Sequence, residues 1–168
     1  MVGPLTFVPA RQHEQFRDVI AALQFAEWAD IYPQWTLDDA RSELVQPAGE
    51  NGIPCSWFAV RDNNVVGAVM LVPDGEVEND EIEGPWVAGL VVIESMRHQG
   101  IGRALMEFVE AQAQQLQLPR LRLVTPKSAD WYESMGWVRE FEVTLAGERC
   151  TVLTNPRVGT PPRNSIPS

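Results

Sequence analysis

Apolar positions along this chain recur with two different periods, and the changes of period mark the element boundaries. Phe16, Val19, Ile20 and Leu23 repeat at helical spacing, which predicts a first helix from about Ala10 to Leu23. A second helix is expected to open at Thr36, whose hydroxyl suits an N-cap. Asp38 and Asp39 fall in its first turn, where the helix dipole favours negative charge. Leu37, Ala40 and Leu44 share one side of this helix, and it stops before Pro47. Between the two helices lies a dense aromatic stretch with Phe25, Trp28, Ile31, Tyr32 and Trp35.

The pattern then shortens. Ser56 to Arg61 and Val65 to Val72 read as two strands around the turn Asp62-Asn63-Asn64. Glu76 to Glu83 forms an acidic loop. Trp86 to Val92 is a continuous apolar run, as expected of a central strand covered on both faces. A long helix follows to about Leu116, with Ile101, Ala104, Leu105, Phe108, Ala111 and Leu116 as its apolar positions. Leu121 to Thr125 predicts a further strand and Ser128 to Met135 a short helix closed by Gly136. Trp137 to Leu145 and Arg149 to Thr154 read as a second hairpin around Ala146-Gly147. Helices alternating with a mixed sheet make a three-layer α/β domain over residues 1–154. Residues 155–168, with Pro156, Pro161, Pro162 and Pro167, read as a loosely ordered tail.

Composition narrows the function classes. Hydrophobic residues make up 45% of the 168, enough for one sizeable core. A formal net charge of −10 argues against nucleic acid or an anionic membrane as partner, since both need a basic face. It is compatible with a cationic acceptor such as an amine. Cys55, Cys150, His13 and His98 fall at no metal-ligand spacing, so no metal site is expected. A basic-apolar leader and an apolar run of membrane-spanning length are both absent, which makes the cytoplasm the expected location.

The candidate chemistry sits at the junction Arg97-His98-Gln99-Gly100-Ile101-Gly102. Here a buried strand ends, a short loop follows and a helix begins. The first N–H groups of a helix have no internal partner and carry the positive end of its dipole. Gly100 and Gly102 let an anion approach those groups closely, and Arg97, His98 and Arg103 add basic side chains. The combination fits a pyrophosphate. Two other phosphate loops fail on the residues: Gly102 is followed by Arg103-Ala104 rather than Lys-Ser/Thr, and Leu105 stands where a dinucleotide fingerprint needs a third small residue.

Arg97-x-x-Gly100-x-Gly102 on a strand-loop-helix resembles motif A of the GNAT superfamily of acyl-CoA-dependent N-acyltransferases. Pro85 to Val92 is similar to the strand that precedes that motif. Trp131-Tyr132-Glu133-Ser134-Met135-Gly136-Trp137 resembles the family's aromatic-Tyr-x-x-x-Gly-aromatic motif. The resemblance covers roughly Ser56 to Thr154, and Glu94 departs from it where many members have Pro. It implies a GNAT-like three-layer fold with a mixed, mostly antiparallel sheet flanked by helices, and acetyl-CoA as co-substrate without a metal. It further implies that the backbone of Leu90, Val91 and Val92 pairs with the pantetheine arm and that backbone N–H groups from His98 through Gln99, Gly100, Ile101, Gly102 and Arg103 to Ala104 cradle the pyrophosphate. By the same resemblance Thr125 and Ser128 line the far side of the coenzyme, and Tyr132 sits near the thioester sulfur.

Amide formation from a thioester needs a neutral amine, a donor for the developing negative oxygen and an acid for the departing thiolate. The Val92 N–H is the expected oxyanion donor, and Tyr132 is the expected acid. Glu83 is ranked first as base because it lies nearest the central strand, and Glu81 is the alternative at the acceptor. Trp28, Tyr32 and Trp35 offer an aromatic wall for an amine cation, or a packed layer between the two helices. The expected acceptor is a primary amine of a small molecule, attacking directly in a ternary complex. A protein or peptide amine and a non-catalytic acyl-CoA sensor are the alternatives. A homodimer rests on fold-level analogy alone.

Overall fold

The computed structural model describes residues 2–77, 79 and 81–159. Its elements follow the order β1 (Thr6–Pro9), α1 (Arg17–Trp28), α2 (Leu37–Leu44), β2 (Cys55–Arg61), β3 (Asn64–Val72), β4 (Trp86–Val92), α3 (Ile101–Gln115), β5 (Arg122–Thr125), α4 (Ala129–Glu133), β6 (Val138–Leu145) and β7 (Glu148–Thr154). The strands form one seven-stranded sheet in the order β1-β2-β3-β4-β5-β7-β6. Only β4 and β5 run parallel; every other pair is antiparallel. The mixed, mostly antiparallel sheet and its flanking helices match the expected fold class.

Side chains alternate across the sheet and build a core on each face, with a smaller cluster of Ile31, Leu145 and Cys150 beside them. Ala68 and Met70 of β3 face α1 and α2, where Ile20, Ala21, Ala40, Leu44 and Phe58 close around them. Val69 and Leu71 face the opposite way, against Ile101, Leu105, Met106, Val109 and Ala113 of α3. Trp86, at 1% exposure, plugs the start of the central strand β4.

Several elements follow local chemistry. Thr36 caps α2: its hydroxyl accepts the Asp39 N–H at 3.1 Å, and the Asp39 carboxylate accepts the Thr36 N–H at 2.9 Å. Such a reciprocal cap contributes on the order of 1 kcal/mol. Asp62 and Asn63 both take positive φ, the conformation a tight hairpin between twisted strands requires.

Three expectations shift. The first helix begins at Arg17, after two short 3₁₀ turns, and runs on to Trp28, so Phe25 and Trp28 belong to it. Val19 stays exposed because the buried face of α1 runs through Ile20, Ala21 and Gln24. In α3 the buried face includes Met106, Val109 and Ala113, while Ala111 is exposed. The segment after Thr154 packs on the domain as far as it is described. Asn155 is buried, Val158 joins the α3-side core, and Arg157 donates to the Met135 carbonyl at 2.9 Å. Residues 160–168 lie outside the described part.

Candidate active site

The site begins with a fault in the sheet. β3 and β4 pair as Ala68↔Val91 and then as Met70↔Ala88, so one extra residue is inserted into β4 between them. Gly89 stands in this bulge at φ +64°, and a β-carbon there would meet the Gln24 amide and the Met70 sulfur at 2.6 Å each. Beyond the bulge the alternation is reversed. Val87 belongs to the α3-side core, yet Val91 packs against α1 and α2, with Leu90 and Val92 on the α3 side.

The other edge of β4 is left open. β4 and β5 share the register pair Trp86↔Arg122 and then diverge. The Ile93 N–H donates to the Val66 carbonyl at 2.8 Å, which places Ile93 and Val66 at a hydrogen-bonded position of the ladder. Gly67 and Val92, the adjacent facing pair, therefore turn their N–H and C=O groups away from each other. The N–H of Val92 thus points toward the β4–β5 opening. Arg97 Nε donates to the Val92 carbonyl at 3.1 Å and ties the strand end to the loop after it.

That loop ends at Gly100, the N-cap of α3, at φ +79°; a β-carbon there would meet nothing within 4 Å. At Gly102 a β-carbon would lie 3.3 Å from the Trp131 ring, so the surface above the first turn is narrow. His98 also takes positive φ, and Gln99 and Arg103 are exposed. The Ala104 N–H is already bonded to the Gly100 carbonyl at 3.0 Å, which removes it from the expected anion cradle. The buried Ile101 side chain anchors the turn in the core.

A cavity of about 910 Å³ runs from the β4–β5 opening to the α1–α2 connection. Along β4 and β5 it is lined by Gly89, Leu90 and Val124, with Tyr132 of α4. Tyr132 is half-buried, packed edge-on against Trp131 with ring centres 4.9 Å apart. Burial pushes its hydroxyl above the usual phenol range, so it holds its proton at neutral pH. Thr125 and Ser128 do not line this cavity. Thr125 is buried, and its hydroxyl accepts the Ser128 N–H at 3.0 Å, bracing the start of α4.

The same cavity is walled by Trp28, Tyr32, Trp35, Glu43, Asp74 and Glu76, and Trp28 and Tyr32 share a packed cluster with Val124. The Tyr32 hydroxyl donates to the Glu76 carbonyl oxygen at 3.0 Å and lies 3.4 Å from its carboxylate. Trp35 Nε1 donates to Glu43 Oε1 at 3.0 Å. Burial, together with the nearby Glu43, pushes the Glu76 carboxyl up to about 7 despite the Tyr32 hydrogen bond. Burial also raises Glu43. Among the described residues, no Lys, Arg or His lines the cavity.

The expected base is not here. Glu83 lies outside the cavity, and Arg120 holds its carboxylate at 2.9 Å. Glu81 is exposed and outside it as well, on a turn fixed by the Asn79 side chain. The loop folds back so that Glu76, at its start, meets Tyr32. The three expected aromatic residues do meet in the cavity wall, where they also pack on one another: Tyr32 and Trp35 lie edge to face at 6.4 Å. Gln24, Glu43 and Glu76 were not picked out by sequence. The one signal available was a lone Gln at a buried helical position beside Ala21 and Ile20.

Among the described residues, no cluster of His, Cys, Asp and Glu is placed to hold a metal ion, and no helix is long and apolar enough to cross a membrane. Comparison with known proteins gives the lineage. The chain is 27% identical over 146 residues to an amino-acid acetyltransferase of Pseudomonas putida, covering 78% of this chain. It spans about a third (33%) of the length of that relative. Its fold is similar to the crystal structure of an aminoglycoside 6'-N-acetyltransferase complexed with coenzyme A, with TM-score 0.71, 14% identity, and 95% and 99% of the two chains covered. It is also similar to a chain in the structure of the NatC complex bound to Gag peptide and CoA, with TM-score 0.65, 20% identity, and 90% and 98% covered. The family model described as "Acetyltransferase (GNAT) family" matches residues 20–137, most of the layered domain including the glycine loop and Tyr132, and the chain belongs to that family.

Proposed function

We propose that this protein transfers an acetyl group from acetyl-CoA to the primary amine of a small cationic molecule, by direct attack in a ternary complex. The observation that carries the proposal is one continuous cavity. It joins the β4–β5 opening to an acidic, aromatic end that has no basic side chain among the described residues.

Acetyl-CoA fits the donor end on three counts. The β4 edge at Val92 turns its N–H outward with no strand beside it, Gly100 leaves space over the start of α3, and the N–H groups of that first turn are unpaired within the helix. Bound there, it would supply the thioester carbonyl that the amine attacks. Leu90, Val91 and Val92 hold the acyl arm along the strand edge, and His98 to Arg103 face the pyrophosphate. The Val92 N–H stabilises charge developing on the carbonyl oxygen, a role in which one aligned donor contributes about 3–4 kcal/mol. Tyr132, kept protonated by burial, donates to the leaving sulfur.

At the acceptor end, Trp28, Tyr32 and Trp35 and the carboxylates of Glu43 and Glu76 attract an ammonium ion. Glu76 takes the amine's proton, directly or through water. An acid near 7 is well matched to that task at neutral pH.

The test is thiol release from acetyl-CoA across polyamines, aminoglycosides, amino acids and lysine-bearing peptides. Turnover with small amines supports the proposal. Turnover confined to peptides would move the acceptor to a protein amine. Calorimetric binding of acetyl-CoA with no turnover would leave a sensor.

A further inference from the structure

The polar side chain best buried in this half of the molecule is not an acid. Gln24 sits on α1 at 2% exposure, inside an otherwise apolar layer of Ile20, Ala21, Phe58 and Ala68. Its Nε2 donates to the Gly89 carbonyl at 2.9 Å and lies 3.5 Å from the Met70 sulfur. A glutamine in such a layer is unfavourable unless its amide is needed there. The need is visible at its partner: the bulge leaves the half-buried Gly89 carbonyl facing α1, where the Gln24 amide reaches it.

What the bulge accomplishes is a change of phase. Ala88 and Gly89 both face the α1 side, whereas Leu90 and Val92 face α3 and Val91 faces α1. Removing one residue of offset would reverse every position after it. The Val92 N–H would then turn toward β3 and leave the β4–β5 opening. The position of the proposed oxyanion donor thus depends on a backbone irregularity three residues upstream.

We propose that Gln24 is a positioning residue for acyl transfer: by gripping the Gly89 carbonyl it locks the β4 bulge in the register that aims the Val92 N–H into the β4–β5 opening. This rests on the donor site proposed above. Gln24 lines the same cavity, but its hydrogen bond is to the backbone, and it acts through Gly89.

The test compares the full chain with Gln24→Met, which keeps length and apolar volume and loses the donor. Acetyl-CoA binding sites are counted by calorimetry, so that kcat is expressed per binding-competent molecule and any unfolded fraction drops out. With the acceptor that gives most thiol release in the amine panel, kcat per site falls about 10- to 100-fold while KM for acetyl-CoA changes less than threefold. In spectra of isotope-labelled protein, the Gly89 carbonyl and Val92 amide resonances move. Gln24→His, which retains a ring N–H donor, recovers part of the rate. Unchanged kcat per site, or an unmoved Val92 amide, overturns the proposal. The resonances are read without an acceptor, so they separate this failure from that of the acyl-transfer reading. A wild-type chain inert toward every amine, with Val92 still shifted by Gln24→Met, sinks acyl transfer and keeps the positioning.

Discussion

Glu76→Gln separates the acidic end of the cavity from the rest of the fold in one substitution. The carboxyl is held up to about 7 from 4.5, by burial first and the charge of Glu43 second. A folded-state value above the unfolded one means that the folded protein binds more protons between the two. Stability is therefore full below pH 4.5 and is lost as pH rises toward and through about 7. At 1.36 kcal/mol per pH unit, that interval has a ceiling of about 3.4 kcal/mol. Glu76 keeps partial access to solvent, which screens its charge, so about 2 kcal/mol is the expected difference. For a chain of this size that corresponds to roughly 4–8 °C in Tm. Glu76→Gln removes the charge and keeps the shape. It should melt about 4–8 °C above wild type at pH 8, with the gap closing by pH 5. The catalytic limb runs the other way. In the proposed mechanism wild-type kcat/KM should rise with pH through about 7 as Glu76 loses its proton, and Glu76→Gln should lose that limb along with most of the rate. Thermal melts from pH 5 to 8 and thiol-release profiles over the same range check both. A melting gap independent of pH would refute the buried-carboxylate account. A retained rate limb would take Glu76 out of the base role.

Tyr32→Phe removes the hydroxyl that bonds Glu76 and lowers its pKa, so the same rate limb should move to higher pH; a limb that stays in place or moves down counts against the contact. Tyr132→Phe should lower kcat about 100-fold with acetyl-CoA affinity within twofold, measured by steady-state kinetics and calorimetry; equal turnover removes it as the acid. Gly102→Glu sets a side chain 3.3 Å from the Trp131 ring and a negative charge over the helix start. It should weaken acetyl-CoA binding by about 100-fold or more in calorimetry, and unchanged affinity would refute the phosphate loop.

The residues of the proposed donor end could be picked out in the sequence because they lie in consecutive runs. Trp86 to Val92, Gly100, Gly102 and Tyr132 each announce themselves through an apolar run, a missing side chain or a motif. What was missed there came from register. No periodicity shows that Gly89 carries a bulge, that the Ala104 N–H is taken by Gly100, or that the Thr125 hydroxyl is spent on Ser128. β1 escaped because Thr6–Pro9 is only four residues at the sheet edge. The acceptor end was hardly legible. Glu83 was favoured for its nearness along the chain to the central strand, but the loop reverses and brings Glu76 to Tyr32, leaving Glu83 to Arg120. Distance along the chain predicts proximity inside a strand or helix and fails across an irregular loop.

That asymmetry has a physical cause. Acyl transfer in the proposed mechanism asks the same things of the donor whatever amine arrives, and backbone groups suffice: an outward N–H on β4 and the start of α3. Such groups need only a strand, a bend and a helix start, which local sequence encodes. Acceptor choice needs side chains of particular charge, drawn here from α1, the α1–α2 connection, α2 and the β3–β4 loop, and only tertiary packing brings Trp28, Trp35, Glu43 and Glu76 together. It also leaves a carboxylate pair whose charge burial opposes and for which no cationic side chain of the described cavity wall compensates. A fold selected for stability alone would have placed an arginine there or removed the acids, since partly buried carboxylates with no cation beside them are costly. In the proposed function the missing cation is the substrate, and an amine that binds there lowers the Glu76 pKa and recovers the stability the carboxylates forfeit.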